Sequence, residues 1–193
     1  MPRVKLFDEE EVLDKAMHLF WKKGFHATSI QDLVEELGIN RASLYDTFGG
    51  KEELFNRTFK RYRRITHQQV RDLLHENASI KEGIKRLFEF VILQSVNDPN
   101  KKGCFAVNIT TELIPGDPHI VEDLTENKLG VEQIFYDYLL LGVERGEISK
   151  EKDLKSLAAL LFTLQNGIKV VAKLNPDQEQ LTKIIDACLV VLD

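Results

Sequence analysis

Apolar residues recur every three or four positions along almost the whole chain, a spacing that predicts helices and no strands. Val12, Ala16, Leu19 and Phe20 form a first stripe that ends before Gly24. Asp8 is its expected N-cap, with Glu11 closing a capping box and Phe7 stapled to Val12. Ile30, Leu33, Val34 and Leu37 form a second stripe, for which Thr28 is the expected cap and Gln31 its reciprocal partner. Gly38 suits a turn with positive φ. Asn40 then caps a short third helix with Leu44 and Phe48 inward, and Gly49-Gly50 ends it. A long fourth helix runs from Lys51 through Phe55, Phe59, Tyr62 and Ile65 to about Leu74.

The same period continues through the rest of the chain. Ser79 with Glu82 opens a helix through Ile84, Leu87, Phe88, Val91 and Ile92, which Asp98-Pro99-Asn100 stops. A shorter helix covers about 102–113, and Pro118 at a first-turn position opens a long one to about Glu144. Ser149 opens the next, to about Lys173, and Asn175-Pro176 opens the last, ending near Leu192. The expected fold is therefore all-α with nine helices. A head occupies 1–50, a body 51–193, and the helix from 51 to about 74 connects them.

The last two helices are apolar on more than one side. Leu154, Leu157, Leu161, Leu164, Ile168 and Val171 line one; Leu181, Ile184, Ile185, Cys188 and Leu192 line the other. Ala158, Leu160, Val170 and Val190 lie off those stripes. A helix wet on one side has no use for this, whereas one packed on its own body and on a second subunit does. A homodimer is expected, with Leu157, Leu161, Leu164, Ile168, Leu181, Ile185, Cys188 and Leu192 at its interface. The alternative is a hairpin buried within a monomer.

Charge changes the picture of the N-terminal part. The chain carries a net charge of −5, but residues 1–75 hold 13 Lys/Arg against 12 Asp/Glu, and residues 76–193 hold 13 against 19. Between Leu54 and Arg71 lie Arg57, Lys60, Arg61, Arg63, Arg64 and Arg71 with no acid, either a phosphate-facing surface or a solvated one. Cys104 and Cys188 sit in apolar runs and read as buried thiols. His18, His26, His67, His75 and His119 are scattered, without metal spacing or a nucleophile–base pair, so neither a metal, a cofactor nor an enzyme is expected. No apolar signal follows Met1 and no uninterrupted 18-residue apolar segment occurs, which points to a cytoplasmic protein without a membrane partner.

The second and third helices have helix-turn-helix proportions, in which the second of the pair enters the major groove by its N-terminal part. Ala42 and Ser43 avoid bulk there. Thr28, Asn40 and Lys51 stand where helix starts meet phosphate. Arg41 suits a guanine edge or a phosphate; Tyr45 suits a phosphate or a lid on the small core. Asp46 is unfavourable near DNA unless it faces away, pairs with a basic residue, or accepts from cytosine N4.

These residues carry a resemblance. Ala16-Met17-His18-Leu19-Phe20, Gly24 through Ile30, Leu33-Val34, Leu37-Gly38-Ile39, Ala42-Ser43-Leu44-Tyr45, Phe48 and Lys51-Glu52-Glu53-Leu54 together resemble the N-terminal pattern of the TetR/AcrR family of bacterial transcriptional regulators. The resemblance implies that Thr28 and Ser29 touch the DNA backbone, and that Arg41, Ala42 and Ser43 occupy recognition positions. Tyr45 is then the groove-side tyrosine and Lys51 the phosphate-binding lysine. Gly49-Gly50 and Asp46 depart from the family's usual residues, so no operator is inferred by analogy.

The resemblance further implies a dimer on double-stranded operator DNA, released when a small-molecule effector enters the body. Phe88, Phe105, Phe135, Tyr138, Phe162 and Gln165 are the candidate liners of that pocket, with ordinary core packing as the alternative for each. A ligand-binding helical protein without specific DNA binding is the competing function. Repression and activation are not distinguished by these residues.

Overall fold

The structure is a computed structural model that describes residues 7–75, 79–114 and 120–193. Nine α-helices and a closing 3-10 turn are found among them: α1 Glu9–Lys23, α2 Ile30–Leu37, α3 Arg41–Phe48, α4 Lys51–His75, α5 Ile80–Val96, α6 Phe105–Leu113, α7 Ile120–Glu144, α8 Leu154–Leu174 and α9 Gln178–Leu189. The chain packs as two units, Met1–Ile65 and Thr66–Asp193, with the division inside α4.

In the first unit the predicted stripes turn inward. Val12, Ala16, Phe20, Leu33, Leu37, Leu44, Phe48, Leu54, Phe55 and Phe59 are all buried. Phe55 meets the edges of Phe20 and Phe25 at centroid distances of 5.2 and 4.8 Å, giving this small core an aromatic centre. Arg61 on α4 forks onto Asp14 of α1 at 2.6 and 2.7 Å and also reaches Glu10, tying the two helices together.

Two N-terminal caps differ in detail from expectation. Asp8 caps α1 by accepting from the Glu10 N–H at 2.8 Å, but Glu11 pairs with Lys15 at 2.7 Å and closes no box. Thr28 does not cap α2. Its hydroxyl turns inward and donates to the Gly24 carbonyl at 2.6 Å. Ser29 is the cap and Asp32, not Gln31, its reciprocal partner, with bonds of 3.1 and 2.8 Å. Gln31 instead donates to Glu35 at 2.7 Å.

In the second unit α7 packs on α8, and α5 on both α8 and α9. Ser79 accepts from the Glu82 N–H at 3.2 Å as expected, and Glu147 accepts the Ile80 N–H at 2.7 Å, so the start of α5 is held twice. Asp98 organises the loop before α6 by accepting from the Asn100 and Lys102 N–H groups, which delays that helix to Phe105. α8 begins at Leu154 because Asp153, and not Ser149, accepts the Lys155 and Ser156 N–H bonds. Asp177 likewise caps α9. The expected role of Pro118 lies outside the described residues.

Candidate nucleic-acid interface and body cavity

The α2–α3 pair is built by local capping. Gly38 sits at φ 66°, the left-handed position that closes α2, and its N–H donates to the Val34 carbonyl at 3.1 Å. Two residues later Asn40 accepts the Ser43 N–H at 2.8 Å and opens α3. Ile39 between them is buried. The turn is therefore fixed at both ends by hydrogen bonds and in the middle by an apolar anchor.

With Leu44 and Phe48 fully buried, α3 has no rotational freedom, and Arg41, Ala42, Tyr45 and Asp46 stand exposed on its outer side with Ser43 half-buried. The Arg41 guanidinium lies 5.7 Å from the centre of the Tyr45 ring, on the same face one turn away. Tyr45 rests against Gly50, where a Cβ would come within 3.2 Å of its ring and where φ is 124°. The Gly49-Gly50 departure thus has a structural reason: Gly49 closes α3 in the left-handed region, and Gly50 leaves room for the tyrosine.

Lys51 opens α4 with its ammonium 4.4 Å from the centre of the Phe25 ring. Sequence reasoning missed both Gly50 and Phe25. Neither carries a DNA-binding group, and each acts by placing a neighbour.

Thr28 and Ser29, the other two residues expected at the DNA backbone, are bonded within the chain. Thr28 is fully buried, and its N–H as well as its hydroxyl is bonded within the chain, so no polar group of that side chain faces outward. Ser29 is exposed, but its hydroxyl and N–H are both engaged with Asp32, which also pairs with Lys23 at 2.8 Å. The Lys23 ammonium and the Ser29 donors hold the Asp32 carboxyl below the usual carboxylate range. An ionised carboxylate already occupies the α2 N-terminus. The basic run of α4 is partly neutralised too: Arg57, Arg61 and Arg64 pair with Glu53, Asp14 and Glu10.

In the body, a cavity of about 370 Å³ lies between α6, α7 and α8. Ala106, Val107 and Thr110 come from α6 and Ile114 from the residue that follows it; Val121, Leu124, Thr125, Asn127 and Lys128 from α7; Phe162, Thr163 and Asn166 from α8. Of the six expected liners only Phe162 is among them. Phe88, Phe105, Phe135 and Gln165 are buried elsewhere, and Tyr138 is buried with its hydroxyl 3.4 Å from the Ser79 carbonyl. Burial pushes the Tyr138 hydroxyl pKa up. Large aromatics fill space here, and the cavity is left where smaller side chains face each other.

The residues expected at the dimer face divide between the chain's own core and its surface. Leu161, Ile168, Leu181, Ile185 and Leu192 are buried in the chain's own core, while Leu157 and Leu164 are partly buried against it. Cys188 is partly buried, which raises its thiol pKa. The inward face of α8 is Ala158, Leu161, Gln165, Ile168 and Ala172. Its outward face is Leu160, Gly167, Val171 and Leu174, with Leu164 between them in the row; on α9 and the turn after it, Ile184 and Val191 are exposed.

A helix pair joined by a left-handed glycine turn, with the second helix presenting arginine, small residues and tyrosine, defines a helix-turn-helix DNA-binding protein. Residues 12–58 match the family described as bacterial regulatory proteins, tetR family, and residues 81–188 match the tetracyclin repressor-like C-terminal domain. The chain belongs to the TetR family, and it is a sequence-specific DNA-binding transcriptional regulator, not an enzyme.

It is 35% identical over 195 residues, all of both chains, to YezE, an uncharacterized HTH-type transcriptional regulator of Bacillus subtilis (strain 168). It is 32% identical to the HTH-type transcriptional repressor ComR of Escherichia coli (strain K12), over 97% of this chain and 90% of that one. Among solved structures, the TetR family regulator CifR, as a cysteine mutant bound to 26-base-pair operator DNA, superposes with a TM-score of 0.88 at 26% identity, over 99% of this chain and 100% of that one.

Proposed function

We propose that the protein is a repressor that binds a pseudo-palindromic operator as a homodimer and is released when a small molecule enters the body. The observation that carries this reading is the outward face of α3. Arg41, Ala42 and Tyr45 are exposed on a helix whose other side is locked into a core, which is what groove entry requires. Arg41 reads a base edge, and Ala42 and Ser43 admit the helix to the groove. Asn40, Tyr45 and Lys51 meet phosphates and set the register. Ser29 contributes by fixing α2, and Thr28 by packing beneath it. ComR, a repressor by name, and the operator-bound CifR support the same reading.

One head reads half a site, so a second copy is needed, with recognition helices about 34–36 Å apart. The outward row Leu160, Leu164, Gly167, Val171 and Leu174 repeats at four and three residues, the spacing of a helix–helix seam. By length and composition α8 is also apolar enough to cross a membrane, yet its buried side packs into the core on α5 and α7. A second copy is what its outer side requires. The cavity touches α7 and α8 together, so a ligand that fits only one arrangement of these helices lowers DNA affinity by linkage.

Selection from a pool of random duplexes, followed by a salt titration of the enriched sequence, tests the proposal. A two-fold related site bound well above random DNA at ~0.1 M salt is expected. Equal binding to random DNA would end the case for an operator.

A further inference from the structure

The cavity between α6, α7 and α8 is lined by a buried polar residue that no described hydrogen bond holds. Asn127 lies on α7 between the buried residues Leu124 and Val131 and is itself only 6% exposed. It lines the cavity, and no hydrogen bond of its side-chain amide is found among the described residues. An amide that the chain itself does not bond is open to a partner entering the cavity, and a leucine at this position would offer none.

The neighbouring polar groups are different. Thr110 and Thr163 donate to the carbonyls of Ala106 and Ala159 at 2.8 Å, and Asn166 donates to Phe162 at 3.0 Å, all within their own helices. The Lys128 ammonium is held by Glu132 at 2.8 Å. Thr125 also lines the cavity but is exposed, and the remainder of the wall is aliphatic or aromatic.

We propose that this cavity takes a neutral, mostly apolar small molecule with a single carbonyl, hydroxyl or amide group, and that Asn127 is the residue that recognises that group. The inference rests on the ligand-responsive reading above and specifies its ligand. Size follows from volume. About 370 Å³ lies at the small end of the ~300–1,000 Å³ range of ligand pockets, which suits a compact molecule. Charge follows from the wall: the lysine is already paired, so an ionised ligand loses its hydration without gaining a counterion. An amide can donate or accept, so it serves a ketone and an alcohol alike.

Three probes of nearly equal size separate these terms: acetophenone, isopropylbenzene and benzoate. Their binding to the full chain is measured by calorimetry, beside Asn127→Leu and the cavity-filling Thr110→Phe. Acetophenone should bind the unaltered protein roughly five- to tenfold more tightly than isopropylbenzene, the value of one hydrogen bond. Benzoate should bind more weakly than both. Asn127→Leu should keep the hydrocarbon and lose the preference for the ketone, and Thr110→Phe should weaken both.

A ketone preference that survives Asn127→Leu, no preference in the unaltered protein, or tightest binding of benzoate would each overturn the assignment. The same titrations are repeated on the protein bound to its selected duplex. Acetophenone that binds as expected but leaves DNA bound upholds the ligand class and overturns the effector reading. Absence of binding by all three overturns the ligand class and leaves DNA recognition untouched.

Discussion

At the scale of single residues, Arg41 and Lys51 look alike in charge but are held in ways that suit different tasks. Lys51 sits at the first position of α4 with its ammonium over the Phe25 ring, a point charge kept in place by an aromatic face. Arg41 sits at the first position of α3, exposed, with its planar guanidinium beside Tyr45. Lys51→Ala should therefore weaken binding to every duplex by a similar factor and lower the salt dependence by about one phosphate contact. Arg41→Ala should act mainly on discrimination, costing about 1–3 kcal/mol at one base pair and much less on random DNA. Competition titrations of each variant against the selected and scrambled duplexes check this. Equal, sequence-independent losses from both would remove Arg41 from base reading.

At the scale of elements, the helices of the first unit are joined by carboxylates, which makes that unit sensitive to acid. Asp14 is held below its ordinary pKa chiefly by the Arg61 hydrogen bond between α1 and α4, and Asp32 chiefly by Lys23 across α1 and α2. Because both values are depressed on folding, their contribution is complete above the ordinary carboxylate value, near ~4, and is lost as the pH falls through the depressed values. Thermal unfolding between about pH 7 and 2 should show a melting temperature that holds steady and then drops below ~4. Asp14→Asn should lower the plateau and flatten the drop. A variant as acid-sensitive as the parent would place the effect elsewhere.

The same elements show what could be read from sequence. The stripes of α1 to α4 were legible because each has one apolar side and glycines mark the turns. The cap of α2 was misplaced by one residue because Thr28 and Ser29 are both cap-forming types, and only packing decides which hydroxyl turns inward. In α8 the difficulty is greater. The row Leu154, Leu157, Leu161, Leu164, Ile168 and Val171 mixes two faces: Leu161 and Ile168 turn inward with Ala158 and Ala172, and Val171 turns outward with Leu160 and Gly167. Periodicity locates apolar faces but cannot say which of two meets the chain's own core. The cavity was illegible for the same reason, since its walls are ordinary aliphatic residues of three helices.

At the scale of the whole molecule, the proposed dimer makes the exposed side of α8 the surface that brings two heads together. Leu160 and Val171 are 39% and 44% exposed, too much apolar surface for a helix meant to face water. Burying such side chains against a second copy contributes roughly 1.5–3 kcal/mol each when complete, so a few on each side supply a large part of a stable association. Leu160→Asp with Val171→Asp places four carboxylates in the seam of a dimer but none in the core of a monomer. The variant should stay helical and cooperative in thermal unfolding while sedimenting as a 22.2 kDa species. Its affinity for the selected duplex should fall by orders of magnitude, since each head then binds a half-site alone. Its affinity for random DNA should fall far less, because the outward face of α3 is unchanged. The paired control is Leu161→Asp, one residue further along α8 but buried, which should unfold the chain and not merely separate it. If the exposed pair unfolds the protein and the buried change only dissociates it, the two faces of α8 are assigned the wrong way round. If neither variant changes the sedimenting mass from that of a monomer, the outward seam has no partner in a second copy.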